Sequence, residues 1–426
     1  MEKKRKLSDI RKKIREGKAS VYTVQELLDR ISNGEKVHFE DVDVVTTATK
    51  GLMSGIAGIF SFRLNEPKAL RKFTEISLNG ITGFPGPCPN EYLGIIDLIV
   101  YGTGHSTTID DYSGGSLFRD LVEGKSINVV AKSVEGKIIR RQMTLEDMQF
   151  ARLMGTRQAI KNYNAMINPT SERIDTIFSV MPFEPDNCQI TFSGCGALNP
   201  FQNDPNFETF GIGMPVLVNG SIGHLIGPGT RNYVRKPNMM TIADFQGMDP
   251  KYMGSFKTSY GPEPICSIAV PIPILNESIF NNIVKSDKDV PLTILNLVGR
   301  EKLGEITYSD VWDDNFQVRS RSNICKKCEI CNIESSCPTR AFSVEQGIDK
   351  NRCFNCGMCV IECQENAFEC DLKTIKFKGK DVPIVLRQSD RQGAIKLAKK
   401  LKKMILEGRF ILEKPTGKLE FAKEVK

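Results

Sequence analysis

The chain has 426 residues, of which 40% are hydrophobic and 26% charged, and it carries a net charge of +7. That composition is ordinary for a water-soluble globular protein, and the length suits two or three domains. No apolar run approaches the roughly 18 residues of a membrane-spanning helix, and the basic stretch Met1 to Arg15 lacks the apolar core of a secretory signal, so a cytoplasmic protein with no membrane role is expected.

In chain order, residues 23–32 read as a short helix, with Val24, Leu27, Leu28 and Ile31 at helical spacing and Thr23 and Glu26 forming a capping box. Residues 41–47 read as a strand, followed by Gly51, Gly55 and Gly58. Residues 95–101 are an apolar run of strand length. Residues 127–134 and 137–142 predict a hairpin turning at Glu135-Gly136. Residues 145–165 read as helix. Residues 210–225 predict strands joined by tight turns, with Asn219-Gly220 as the hairpin signal. Pro271 and Pro273 make 265–275 an expected edge strand or loop. Residues 319–323 read as a linker. Behind it, 374–377 and 382–386 read as strands and 390–407 as a helix stopped by Gly408.

Eight of the thirteen cysteines form two runs, Cys325, Cys328, Cys331, Cys337 and Cys353, Cys356, Cys359, Cys363. Cys-x-x-Cys-x-x-Cys offers three thiolates to one cubane, and the fourth cysteine of each run by the usual crossing serves the other cluster. Two [4Fe–4S] clusters are therefore expected. One is held by Cys325, Cys328, Cys331 and Cys363, the other by Cys353, Cys356, Cys359 and Cys337. Structural zinc favours paired Cys-x-x-Cys units and does not explain the third cysteine of each run. Two departures stand out: five residues separate Cys331 from Cys337 where three are usual, and Gln364 follows Cys363 where proline is usual.

Among the other cysteines, Cys195 in Ser193-Gly194-Cys195-Gly196 is the first candidate for a reactive thiol, because flanking glycines let N–H groups turn toward sulfur and lower its pKa. A small buried residue at a tight turn is the alternative. Cys88, in the rigid loop Pro85-Gly86-Pro87-Cys88-Pro89, is the second candidate. Cys188 and Cys266 lie beside apolar stretches and read as packed, and Cys370 as a bystander. The lysines near both ends, Lys3 to Lys6 and Lys396 to Lys403, read as solvated helix faces and not as a nucleic-acid surface, since no aromatic residues interleave with them. The glycines from Gly211 to Gly229 read as tight turns and not as a nucleotide loop.

The block Phe210-Gly211-Ile212-Gly213, Val218-Asn219-Gly220-Ser221-Ile222-Gly223-His224-Leu225-Ile226-Gly227-Pro228-Gly229-Thr230 resembles the homocysteine-biosynthesis domain family of methanogens and other anaerobes. Leu78-Asn79-Gly80, Tyr163-Asn164-Ala165 and Val385-Leu386-Arg387-Gln388-Ser389-Asp390-Arg391 fit the same family, and with the double cysteine run the chain is similar to its methanogenesis-marker metalloprotein branch. The resemblance implies an α+β chain: a large mixed α/β catalytic domain (1–320), a small bacterial-ferredoxin-like 2x[4Fe–4S] domain (321–372) and a strand and helix extension (373–426).

It further implies reductive sulfur incorporation into a small carbonyl substrate, of the aspartate semialdehyde to homocysteine type. Cys195 or Cys88 would carry sulfur from a sulfide or persulfide donor, and a low-potential donor would feed the clusters. An electron-transfer or assembly protein in cofactor biosynthesis is the alternative. The oligomeric state is left open, a homo-oligomer included. Sulfurtransferase members are expected to carry cysteines near Lys50 to Ser54 and near Val134 to Gly136; this chain has none at either place.

Overall fold

A computed structural model gives the fold of residues 4–86, 92–161, 163–313 and 316–422. β-branched residues fill the strand Val44–Leu52, which is buried along almost its whole length. It pairs in parallel with Val21–Thr23 and antiparallel with the eleven-residue strand Glu263–Pro273, itself buried throughout. From there one large sheet runs through Pro215–Val218, Ser221–Pro228, Met239–Asp244, Met148–Gln158, Ile56–Arg63 and Ile95–Tyr101, and ends at the hairpin Ile127–Ser133, Ile138–Met143. The architecture is thus mixed α and β, organised by large sheets.

The predicted turns fall where the sequence puts them. Thr23 and Glu26 form the capping box of helix Val24–Ser32, and Ile95–Tyr101 is a strand over its predicted span. Asn219 and Gly220 take φ of 48° and 87°, the left-handed pair that a two-residue hairpin turn of this twist requires. The hairpin about Glu135-Gly136 is also present.

Two expectations are corrected. Residues 145–165 do not form the expected helix: after a single 3-10 turn, Leu145–Asp147, they form the strand Met148–Gln158, held between Ile56–Arg63 and Met239–Asp244, and begin the strand Asn164–Ile167 of a second sheet. Leu, Met, Ala, Arg and Gln favour helices locally, but pairing on both edges overrides that preference. Residues 263–273 are central and not an edge, although the strand contains prolines. Pro271 and Pro273 have the same parity, so both missing N–H groups face one side. The neighbour Val44–Leu52 pairs through both prolines, whereas Pro215–Val218 pairs only at Ile268 and Ala269.

A second, six-stranded sheet runs Lys302–Thr307, Pro291–Asn296, Asn164–Ile167, Ile190–Phe192, Lys380–Arg387, Thr374–Phe377. The chain leaving Lys380–Arg387 stitches the two sheets together. Gln388 N–H donates to Phe192 O at 2.8 Å, Leu52 N–H to Gln388 O at 3.4 Å, and Asp390 N–H to Lys50 O at 2.9 Å. Helix Arg391–Leu406 follows, capped by Asp390. Leu397, Leu401 and Ile405 are fully buried in the same core as Val44 and Ala48, while Lys396, Lys399 and Lys403 face solvent. At the N-terminus the expectation is corrected: the helix is Leu7–Arg15, which buries Ile10, while Lys4, Arg5 and Lys6 precede it and Arg5 pairs with Asp43 at 3.3 Å. Among the described residues no helix is long and apolar enough to cross a membrane.

Candidate functional site

Where the two sheets meet, a cavity of about 470 Å³ opens. One wall is the loop Met53-Ser54-Gly55 between strands Val44–Leu52 and Ile56–Arg63. Another is Tyr163, Asn164 and Ser193 of the second sheet, with Gln388 from the stitch. Gln388 is locked in place: its Nε2 donates to Phe178 O at 3.0 Å and to Thr191 Oγ1 at 2.9 Å, and its Oε1 accepts from Ser193 Oγ at 2.8 Å. Loop 53–55 has no room to retreat, because a Cβ on Gly55 would stand 2.7 Å from Thr156 Oγ1.

Four cations line this cavity: Arg157, Arg231, Lys236 and Arg300. Burial, and then repulsion from Arg231, hold the Arg157 guanidinium below its usual range. Burial, then repulsion from Arg157 and Arg300, lower the Lys236 ammonium. The carboxyl on the wall is Glu263. Burial pushes its pKa up, with a Ser54 hydrogen bond opposing the shift.

Cys195 lies two residues beyond Ser193. Tyr163 lines both the cavity and a narrow cleft at Cys195, which Lys161, Asn199 and Tyr308 also line. The thiol is fully buried, with Thr49 Oγ1 at 3.6 Å and Lys50 O at 3.9 Å. The expectation that flanking glycines lower its pKa is corrected: burial pushes the thiol up. The nearby N–H groups are committed elsewhere, Gly194 N–H to Ser389 Oγ at 2.7 Å and Ala197 N–H to Asp287 Oδ1 at 2.8 Å. Cys88 lies outside the described residues. Cys266 is packed as expected, accepting from Gln158 Nε2 at 3.1 Å, but Cys188 is exposed. Cys370 accepts from Arg387 Nη1 at 3.0 Å.

Behind the stitch, Lys50 Nζ sits 2.8 Å from Asp390 Oδ2, with both side chains almost fully buried. Asn355, two residues past Cys353, donates to Asp390 Oδ1 at 3.3 Å. Arg387 N–H donates to Cys356 O at 2.9 Å. The stitch therefore touches the cavity wall on one side and the second cysteine run on the other.

In the cysteine-rich region, the five residues between Cys331 and Cys337 are the short helix Asn332–Ser336, which explains the long spacing. Helix Met358–Glu362 ends likewise at Cys363. Burial pushes the thiols of Cys353, Cys356 and Cys359 up, the first to about 11; repulsion from Asp390 and then Cys337 adds to it at Cys353, and repulsion among the cysteines, Cys337 included, at the other two. Those four side chains thus lie within electrostatic reach of one another. Cys325, Cys331 and Cys363 share an apolar cluster with Ile333 and Phe368, while Cys328 is exposed. Among the described residues, no three Cys, His, Asp or Glu side chains converge as a single ion would require. A cubane binds each thiolate at a separate iron, so its ligands surround it and need not meet at a point. Buried, mutually repelling thiols suit such a group, because ligation releases their protons and neutralises the thiolates.

Sequence reasoning missed the four cations and the Lys50–Asp390 pair. Arg231 stands directly after the glycine block, at Gly229-Thr230-Arg231, and that was the nearest available signal.

Comparison with known proteins follows from this geometry. A family described as homocysteine biosynthesis enzyme, sulfur-incorporation, matches residues 19–412. An uncharacterized protein of Methanothermobacter thermautotrophicus is 42% identical over 410 residues, covering 96% of this chain and 94% of the relative. An uncharacterized protein of Methanocaldococcus jannaschii is 41% identical over 400 residues, 93% of this chain and 99% of the relative. The L-aspartate semialdehyde sulfurtransferase of Methanocaldococcus jannaschii is 30% identical over 303 residues, 68% of this chain and 58% of the relative. No solved structure matches the chain significantly. The chain belongs to the homocysteine-biosynthesis, sulfur-incorporation family.

Proposed function

We propose that this member of the homocysteine-biosynthesis family catalyses reductive sulfur incorporation into a small carbonyl compound at the cavity between the two sheets. The observation that carries the reading is the family match over residues 19–412, which includes every described wall of that cavity. The name of the sulfurtransferase relative points to an aldehyde as the acceptor. An aldehyde and hydrogen sulfide give a thioaldehyde and water, and two electrons with two protons then give the thiol. Sulfur insertion of this kind needs a reductant.

Two [4Fe–4S] clusters, held by Cys325, Cys328, Cys331 and Cys363 and by Cys353, Cys356, Cys359 and Cys337, would supply single electrons when bound. The chain's own residues do the rest. Loop 53–55, Gln388 and Ser193 hold the acceptor, and the Tyr163 ring separates it from Cys195. Cys195 is the thiol proposed to carry sulfur: it takes the outer sulfur of a persulfide donor, whose own thiol leaves, and two electrons with two protons then release that sulfur as hydrogen sulfide and restore the thiol. In the closed arrangement it is a neutral thiol behind Tyr163 and Tyr308, so loading it requires those rings to part.

The test is anaerobic purification, iron and acid-labile sulfide counting, and an assay with aldehyde, sulfide and a low-potential reductant. Thiol product from aldehyde and sulfide supports the reading, and a one-sulfur adduct on Cys195 after treatment with a persulfide donor in the absence of reductant supports its part in it. Iron-loaded protein without turnover sinks it and leaves electron transfer or assembly.

A further inference from the structure

We propose that the cavity is an oxyanion pocket whose four cations bind the acidic end of a substrate that has no ammonium group. The proposal rests on the preceding reading for the carbonyl end alone; anion binding stands or falls separately. Arg157 comes from the end of a central strand, Arg231 and Lys236 from the loop before strand Met239–Asp244, and Arg300 from the turn after Pro291–Asn296. Three separate segments thus deliver positive charge to one cavity.

Among the described residues, none of these four cations has a carboxylate within 4.0 Å. Arg157 Nε is buried with no hydrogen-bond partner. Arg300 lies over the Phe178 ring at 4.6 Å and donates to Met166 Sδ at 3.2 Å, so a ring and a thioether stand where an acid would be expected. The cavity beside Cys337 shows the contrast. There Arg119 pairs with Glu123 at 2.7 Å, Lys257 with Asp111 at 2.7 Å and Arg352 with Glu123 at 3.1 Å. Arg157 and Lys236 are half-buried, while Arg231 and Arg300 reach solvent at the mouth; gathering four like charges at one cavity is unfavourable for the two half-buried ones unless an opposite charge completes the set. Such perturbed clusters in a cleft mark binding sites.

Backbone conformation agrees. Arg231 and Arg300 both hold φ in the left-handed region, 51° and 63°, where glycine would be unstrained. The facing carboxyl, Glu263, has its Oε2 buried without a partner. Burial favours its neutral form, so it offers little counter-charge to an ammonium. A zwitterionic amino acid would set its ammonium against four cations. A dicarboxylate or a tetrahedral oxyanion would neutralise them, and about 470 Å³ admits either.

The experiment is calorimetric titration of the full chain with succinate, inorganic phosphate and L-aspartate at matched ionic strength, repeated on Arg157→Gln and Lys236→Gln. Succinate or phosphate binding at least tenfold tighter than aspartate is expected, and the tighter of the two identifies the acid. Each variant should weaken that binding at least tenfold while keeping or raising the melting temperature, because it removes an unpaired cation. Aspartate binding as well as the others, no binding by any probe, or unchanged affinity in both variants overturns the proposal. Anion binding in a protein that incorporates no sulfur would uphold the pocket and refute the activity.

Discussion

Asp390 ties helix Arg391–Leu406 to the large sheet through two separable interactions. Its Oδ1 caps the helix, accepting from Gly393 N–H at 2.9 Å, and its Oδ2 faces Lys50 Nζ at 2.8 Å. Asp390→Asn keeps a good cap but removes the charge, since asparagine caps as well as aspartate. It leaves an ammonium 6% exposed with one remaining bond, to Lys251 O at 2.9 Å. Removing one partner of a buried pair costs about 3–5 kcal/mol, and the surviving carbonyl bond places the expected loss near the lower end. Asp390→Ala should cost about 1 kcal/mol more, the loss of the cap. Lys50→Met combined with Asp390→Asn should recover most of the loss, because replacing both charges is nearly neutral.

The assay is urea unfolding followed by the fluorescence of Trp312, the one tryptophan in the chain. It reports the second core, packing 5.1 Å from Phe192 and beneath Arg387. A double variant no more stable than Asp390→Asn alone would refute the coupling, as would an Asp390→Asn loss below about 1 kcal/mol.

Three further outcomes follow from the same geometry. Burial raises the Cys266 thiol to about 12 in the folded chain, from an ordinary 9.0, so its contribution to stability is intact below pH 9 and is lost as pH rises toward 12. Cys266→Ser should therefore flatten the alkaline fall in stability by about 1.4 kcal/mol per pH unit, and equal slopes for both proteins would contradict the assignment. Gly115→Ala would put a Cβ 2.4 Å from Gly254 O, backbone that cannot swing aside, and should cost about 1–3 kcal/mol in urea unfolding; a wild-type midpoint would mean that helix Gly114–Val122 sits further from Gly254–Phe256. Iodoacetamide at neutral pH should label exposed Cys188 well before Cys195, as read by peptide mass mapping. Equal rates would show that Cys195 is open to solvent.

The family stretch 385–391 gains a physical role in the fold. Arg387 is fully buried over the Trp312 ring, Gln388 braces the cavity wall, Ser389 accepts from Gly194 N–H, and Asp390 holds Lys50. One short segment thus couples the cavity, the Cys195 turn and the second cysteine run. Loop 53–55, close to where sulfurtransferase members are expected to carry cysteine, is a cavity wall. The other such place, residues 134–136, is an exposed hairpin turn.

What the sequence determined alone was local. The capping box at Thr23 and Glu26, the Asn219-Gly220 turn, the Gly408 stop and the cysteine spacings each depend on a few neighbouring residues, so short-range sterics and periodicity reveal them. Tertiary structure decided whatever depends on partners far along the chain. Helix-favouring residues at 148–158 became a central strand because strands about 90 residues away on either side claimed both edges. The glycine-flanked Cys195 became a neutral thiol because the fold buries it, and its neighbours' N–H groups found Ser389 and Asp287 instead. The four cavity cations, spread from Arg157 to Arg300, carry no local signature, since charge convergence exists only once the two sheets are joined.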